Sequence, residues 1–147
     1  MKLYVINGPN LNFLGIREKG IYGNQDYSTL LVMIQDKAKE LDLEVETFQS
    51  NSEGEIIDTI QKAYEDKVDG IIINPGAYTH YSYAISDALA SVTIPKIEVH
   101  ISNIYQREEF RHKSVTAPQC NGQIAGLGLQ GYILAMEAMV HICNNSN

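Results

Sequence analysis

Tryptophan is absent from these 147 residues, cysteine occurs twice, proline four times and arginine three times. Cys120 and Cys143 form no CxxC pair and no metal-ligand spacing, which excludes a disulfide framework and a thiolate metal knuckle; both are expected to be reduced and mostly buried. No apolar run reaches 18 residues, and Met1-Lys2-Leu3-Tyr4-Val5-Ile6 stops at Asn7-Gly8-Pro9-Asn10, too short for the apolar core of a signal peptide. A cytoplasmic location and no membrane partner are therefore expected. Positive charge is also scarce. Eleven Lys and Arg stand against eighteen Asp and Glu, a net charge of −7 that repels phosphate backbones and argues against a nucleic-acid partner.

What is present is an ordinary globular composition, 44% hydrophobic and 20% charged, in a length suited to a single domain over residues 1–147. Short β-branched runs alternate with longer amphipathic ones, the mark of βαβ units on a parallel sheet. Strands are expected at Leu3 to Ile6, Glu44 to Phe48, Gly70 to Asn74, Ile97 to Ile101 and Gln123 to Leu127. Helical spacing of Leu30, Leu31, Ile34, Ala38 and Leu41 follows a possible Ser28 cap. Ser52-Glu53-Gly54-Glu55 reads as a capping box before Ile56, Ile57, Ile60 and Ala63. Further helices fit Ser82 to Ser91 and Leu129 to Ile142. Five strands and these helices predict an α/β, flavodoxin-like, open doubly wound five-stranded parallel sheet with helices on both faces, whose ligands sit beyond the carboxyl ends of the strands.

Those ends carry chemistry. Asn7-Gly8-Pro9-Asn10-Leu11-Asn12 puts three amides on the first turn, able to hold a ligand oxygen or to bond their own backbone. The connection from Asn7 to Tyr27 takes about 20 residues where such loops take about 2 to 6, and reads as a lid. It holds Arg17 and Tyr22: a guanidinium beside a phenol favours a phenolate base, although Tyr22 can equally be a packing residue. In Ile97-Glu98-Val99-His100-Ile101, Glu98 and His100 share one strand face, an arrangement for a general acid or for a structural histidine. Arg107 and Arg111, two of the three arginines, would share a helical face and suggest an oxygen-rich anionic ligand; ion pairing of Arg107 with Glu108 is the alternative. Asn74-Pro75-Gly76-Ala77-Tyr78-Thr79-His80, with Asp87 beyond it, adds polar groups suited to a polyhydroxylated ligand. Ser102 beside His100 lacks a nucleophile elbow. Gly126-Leu127-Gly128-Leu129-Gln130-Gly131 matches GxGxxG, but no ribose-binding acid follows about 20 residues on, so tight strand–helix packing is expected instead. His80, His100, His112 and His141 have no metal spacing. No cofactor and no metal are expected.

Asn7-Gly8-Pro9-Asn10-Leu11-Asn12, Arg17-Glu18 with Tyr22-Gly23, Asn74 to His80, Ile97 to Asn103 and Arg107 to Arg111, in this order, resemble the type II 3-dehydroquinate dehydratases over essentially the whole chain. The resemblance implies metal-free trans elimination of water from 3-dehydroquinate through an enolate, giving 3-dehydroshikimate in the shikimate pathway; quinate breakdown uses the same reaction. It implies Tyr22 as the base activated by Arg17, Asn10 holding a water at the enolate, and His100 as the acid oriented by Glu98. The substrate carboxylate would take the Ile101 and Ser102 amides and the Asn74 side chain. His80, Arg111 and Asp87 would address ring hydroxyls, Asp87 from a neighbouring subunit of a homo-dodecamer built from trimers. Lys19 stands where many relatives have proline, which would affect lid closure. The rival class is a non-catalytic flavodoxin-like binding module. However, Asn7 and Asn74 stand where a receiver domain needs acids, and Asn7-Gly8-Pro9-Asn10 is not a flavin phosphate loop.

Overall fold

The computed structural model describes residues 1–16 and 25–146. Five strands, β1 (Lys2–Asn7), β2 (Glu44–Gln49), β3 (Gly70–Asn74), β4 (Lys96–His100) and β5 (Gly122–Ala125), form one parallel sheet in the order β2-β1-β3-β4-β5. This is the doubly wound order expected from the alternation of strand and helix patterns. Among the described residues, α1 (Tyr27–Glu40), α2 (Glu53–Glu65) and α3 (Tyr83–Ser91) join β1 to β2, β2 to β3 and β3 to β4; 3₁₀ turns join β4 to β5, and α4 (Gln130–Asn144) follows β5.

The central strands β3 and β4 are buried at every residue, as parallel strands covered on both faces must be. Leu30 and Ile34 of α1 and Tyr132, Met136 and Met139 of α4 pack with Leu3, Val5 and Ile72 on one face. Ile56 and Ile60 of α2 and Ile85 and Leu89 of α3 pack with Tyr4, Ile6, Ile71 and Ile73 on the other. Period-2 alternation therefore divides β1 and β3 between two cores.

The helix starts follow their caps. Ser82 accepts from the Ile85 N–H at 3.0 Å and begins α3. Ser52 accepts from the Glu55 N–H at 3.3 Å, but the return arm of the capping box is indirect: the Ser52 N–H donates to Ser50 Oγ at 2.9 Å, and the Ser50 hydroxyl bonds Glu55. Ser28 is not the cap of α1. Asp26 accepts from the Thr29 N–H and from both the Ser28 and Thr29 hydroxyls, a carboxylate being the stronger acceptor at a helix N-terminus. Strand β5 ends earlier than expected, because Gly126 turns to φ +89° and Gly128 to φ +62°. The arginine segment is not one helix: Ile104–Gln106 and Glu109–Arg111 are separate 3₁₀ turns with an extended Arg107 between them.

Candidate active site

The order β2-β1-β3 makes the chain leave β1 and β3 in opposite directions, and a crevice opens beyond their carboxyl ends. Here Asn7 pairs in register with Asn74, and the turns that follow them interlock. The Gly8 N–H donates to the Asn74 carbonyl at 2.8 Å, and a Cβ on Gly8 would lie 2.5 Å from the Pro75 oxygen. Only glycine permits that approach. Gly76, at φ +61°, lies against Pro9 in the same way. The glycine–proline motifs thus fix the positions of Asn10 and Asn74.

A cavity of about 440 Å³ lies above these turns, lined by Asn10, Asn74, His80, His100, Ile101, Ser102, Arg107 and Arg111 among others. Most of the residues singled out from the sequence therefore meet in one place. The exceptions are informative. Asp87 is exposed on α3 and is not part of this lining. Arg17, Lys19 and Tyr22 lie outside the described residues.

Each polar wall has a definite chemistry. The Tyr132 hydroxyl donates to Asn7 Oδ1 at 2.6 Å and accepts from Asn74 Nδ2 at 2.8 Å, while Asn74 Oδ1 accepts from the Gly76 N–H at 3.1 Å. The Asn74 amide is thereby locked, with one Nδ2 hydrogen that no other described residue accepts. Neither the Ile101 nor the Ser102 N–H donates to another described residue, so two successive amides at the end of β4 are available to an anion. Asn10 holds a left-handed φ of 69°, and its N–H donates to Asn51 Oδ1 at 3.0 Å.

The two histidines are set differently. His80 donates Nδ1–H to the Lys113 carbonyl at 2.8 Å, leaving Nε2 as an acceptor. Burial holds its ring below the ordinary imidazole range, and the charges of His100 and Arg111 press the same way against the pull of the Lys113 bond. His100 instead bonds through Nε2 to Glu98 Oε2 at 2.8 Å, leaving Nδ1 as the ring nitrogen available to a ligand. Glu98 is 0% exposed. Burial works to raise its carboxyl, but the bond and charge of His100, with bonds from Thr116 and Gln123, outweigh it and hold the group below its ordinary range.

Two arginines, in a chain carrying a net charge of −7, are concentrated on this cavity. Glu108 pairs with Arg111, through Nε at 2.5 Å, and not with Arg107 as the sequence suggested. Two 3₁₀ turns in place of a helix bring positions 108 and 111 together. The Arg111 guanidinium also lies 4.8 Å from the Phe110 ring. Its terminal nitrogens remain able to fork onto a ligand oxygen.

Among the described residues no three His, Cys, Asp or Glu side chains form a cluster able to hold a metal. The GxGxxG stretch serves packing, as expected. The Gly126 N–H donates to the His100 carbonyl and the Gly128 N–H to that of Ile101, and a Cβ at Gly131 would meet Val99 at 3.4 Å. No described helix is long and apolar enough to cross a membrane. The sequence reading missed Tyr132, and also Ser114, Thr116 and Gln123 around Glu98. The alternation of Ser114 and Thr116 hints at a shared face, but only the register Glu98↔Gln123 brings Gln123 of β5 to Glu98.

Comparison with known proteins agrees with this geometry. A family model described as dehydroquinase class II matches residues 1–140. The chain is 71% identical over 140 residues to a 3-dehydroquinate dehydratase of Lachnoclostridium phytofermentans, covering 95% of this chain and 97% of the relative. To the enzyme of that name from Clostridium perfringens it is 66% identical over 139 residues, covering 95% of each. Among solved structures, type II dehydroquinase from Butyrivibrio crossotus superposes with a TM-score of 0.93 at 67% identity, covering 95% of this chain and 97% of that one. A 3-dehydroquinate dehydratase-like protein of Bifidobacterium longum matches with a TM-score of 0.74 at 33% identity, covering 99% of both chains.

Proposed function

The chain belongs to the class II dehydroquinases, and from that membership we propose how its strand-end cavity dehydrates 3-dehydroquinate. The protein is a hydro-lyase that converts 3-dehydroquinate to 3-dehydroshikimate in the shikimate pathway.

Tyr22, its phenolate favoured by Arg17, takes a proton from the carbon next to the ketone. Charge then develops on the ketone oxygen, where a water held by Asn10 supplies a hydrogen bond. His100 gives its Nδ1 proton to the tertiary hydroxyl, which leaves as water as the carbon–carbon double bond forms. One C–H and one C–O bond break, and one proton passes to Tyr22 while one leaves His100, so the net charge of the site is unchanged. No metal enters this scheme. Glu98 holds the ring of His100 in the orientation required. The substrate carboxylate sits on the Ile101 and Ser102 N–H groups and the spare Asn74 hydrogen. Arg111 donates to ring hydroxyls, and His80 Nε2 accepts from one.

Asp87 completes the site from a neighbouring subunit in a trimer, four trimers making a dodecamer in the cytoplasm. Its exposure on α3, away from its own cavity, supports that role. The observation that carries the proposal is the Glu98–His100 pair, whose histidine lines a cavity together with Arg111 and two amides that no other described residue accepts from. The test is near-ultraviolet absorbance on mixing the protein with 3-dehydroquinate, with and without a chelator. A rise from the conjugated enone that is indifferent to chelator supports the scheme. A chelator-sensitive rise removes the metal-free step, and no rise from folded protein removes the activity itself.

A further inference from the structure

Glu98 receives far more than the bond from His100. Its Oε2 accepts from His100 Nε2, from the Ser114 hydroxyl and from Gln123 Nε2, each at 2.8 Å, and its Oε1 accepts from the Thr116 hydroxyl. Behind these stands Thr79, whose hydroxyl lies 2.6 Å from that of Thr116 and 2.9 Å from that of Ser114. Ser114 and Thr116 belong to a segment anchored twice more: the Val115 N–H donates to the Thr79 carbonyl, and the Lys113 carbonyl accepts from His80. One strap therefore reaches both histidines of the cavity.

With its hydroxyl hydrogens spent on the carboxylate, the strap offers Glu98 donors and no acceptor. An ionised carboxylate satisfies four donors at once, whereas a carboxylic acid would bring a further donor into a shell already made of donors. Resting on the functional reading above, we propose that Thr116, Gln123 and Ser114 are positioning residues for proton donation by His100. Their donors keep Glu98 an ionised acceptor, which holds the Nε2–H of His100 and turns Nδ1 to the substrate. None of the three lines the cavity, so none is expected to touch the substrate.

The titratable groups that reach Glu98 are His100 on its own strand, His80 on the turn after β3 and Cys120 beyond the strap. Burial pushes the Cys120 thiol up to about 12, with the Glu98 charge adding to the effect, so it carries no charge in the range tested. His80 is held below the ordinary imidazole range, chiefly by burial, which also puts it on the acid side; the carboxyl-carbon midpoint of Glu98 therefore tells the two groups apart.

The test measures kcat and KM against pH for the wild type, Thr116→Val and Gln123→Met, together with a carboxyl-carbon NMR titration of Glu98 assigned by Glu98→Gln. Loss of one donor to a charged acceptor is expected to move the acid limb of kcat, and the Glu98 midpoint, upward by about one pH unit with KM little changed. Thr116→Ser should restore both. Gln123 is half-buried on β5, the edge strand of the sheet, so its variant keeps the test open if Thr116→Val does not fold. Lowered kcat with unmoved limb and midpoint in either variant would overturn the proposal while leaving the activity standing. A wild type without turnover would overturn the functional reading, and the NMR midpoints alone would then decide the role of the strap.

Discussion

Replacing Glu98 by Gln removes one charge and little volume from the buried position behind His100, and its consequences follow from the four donors that converge there. The new amide presents one oxygen and an NH₂ group. The NH₂ must face groups that are themselves donors. Breaking a fully buried ionic arrangement in this way costs about 3–5 kcal/mol. In a chain of this size each kcal/mol shifts Tm by about 2–4 °C, so a fall of roughly 10 °C is expected in a thermal melt. Glu98 does not line the cavity, so KM should change little. His100 loses the acceptor that fixes its Nε2–H, and kcat should drop by about 10²–10⁴, the range that a positioned general acid supplies. The assay is enone formation followed in the near ultraviolet, at a temperature where circular dichroism shows the variant folded. A kcat within about threefold of wild type would refute a role for this carboxylate in orienting the acid.

Tyr22→Phe should abolish turnover and leave substrate binding measured by calorimetry nearly intact, because only the base is lost. Arg111→Ala should raise KM, with a smaller effect on kcat; an unchanged KM would reduce Arg111 to its pairing with Glu108 and Phe110. Tyr132→Phe breaks the link from Asn7 to Asn74, leaves a buried acceptor without its donor and should cost about 1–3 kcal/mol on denaturation, with a KM several-fold higher at similar kcat. Because the Glu98 carboxyl lies below its ordinary range when folded, despite burial, its stabilising contribution is complete above that range and is lost as pH falls through the folded value. Melts of wild type should therefore drop below about pH 5 more steeply than those of Glu98→Gln, and parallel curves would contradict the shift.

The sheet was legible because its central strands carry unbroken β-branched runs such as Ile71-Ile72-Ile73, and because α2 and α3 announce themselves with Ser52 and Ser82. Asn10, Asn74, His100 and Arg111 were legible as lining one cavity because each lies at or beyond the carboxyl end of a strand, where the doubly wound topology collects its ligands. The cap of α1 was misplaced by two residues, since Ser28 and Asp26 are both good caps in sequence and only their geometry ranks them. Arg107 and Arg111 share a face only if their segment is helical, whereas the chain breaks into two 3₁₀ turns and Glu108 pairs with Arg111. Thr116, Gln123 and Tyr132 could not be read at all. Their partners lie 18, 25 and 125 residues away, and such contacts are fixed by register and packing.

The proposed division of labour between Tyr22 as base and His100 as acid is tested most directly by the stereochemistry of proton loss. 3-Dehydroquinate carrying a single deuterium of defined configuration at the carbon next to the ketone would be turned over and the product examined by mass spectrometry. Trans elimination requires loss of the deuterium on the face opposite the departing hydroxyl and retention of the other. Loss of the deuterium on the same face as the hydroxyl would place base and acid on one side of the ring and contradict the assignment of His100 and Tyr22 to opposite roles.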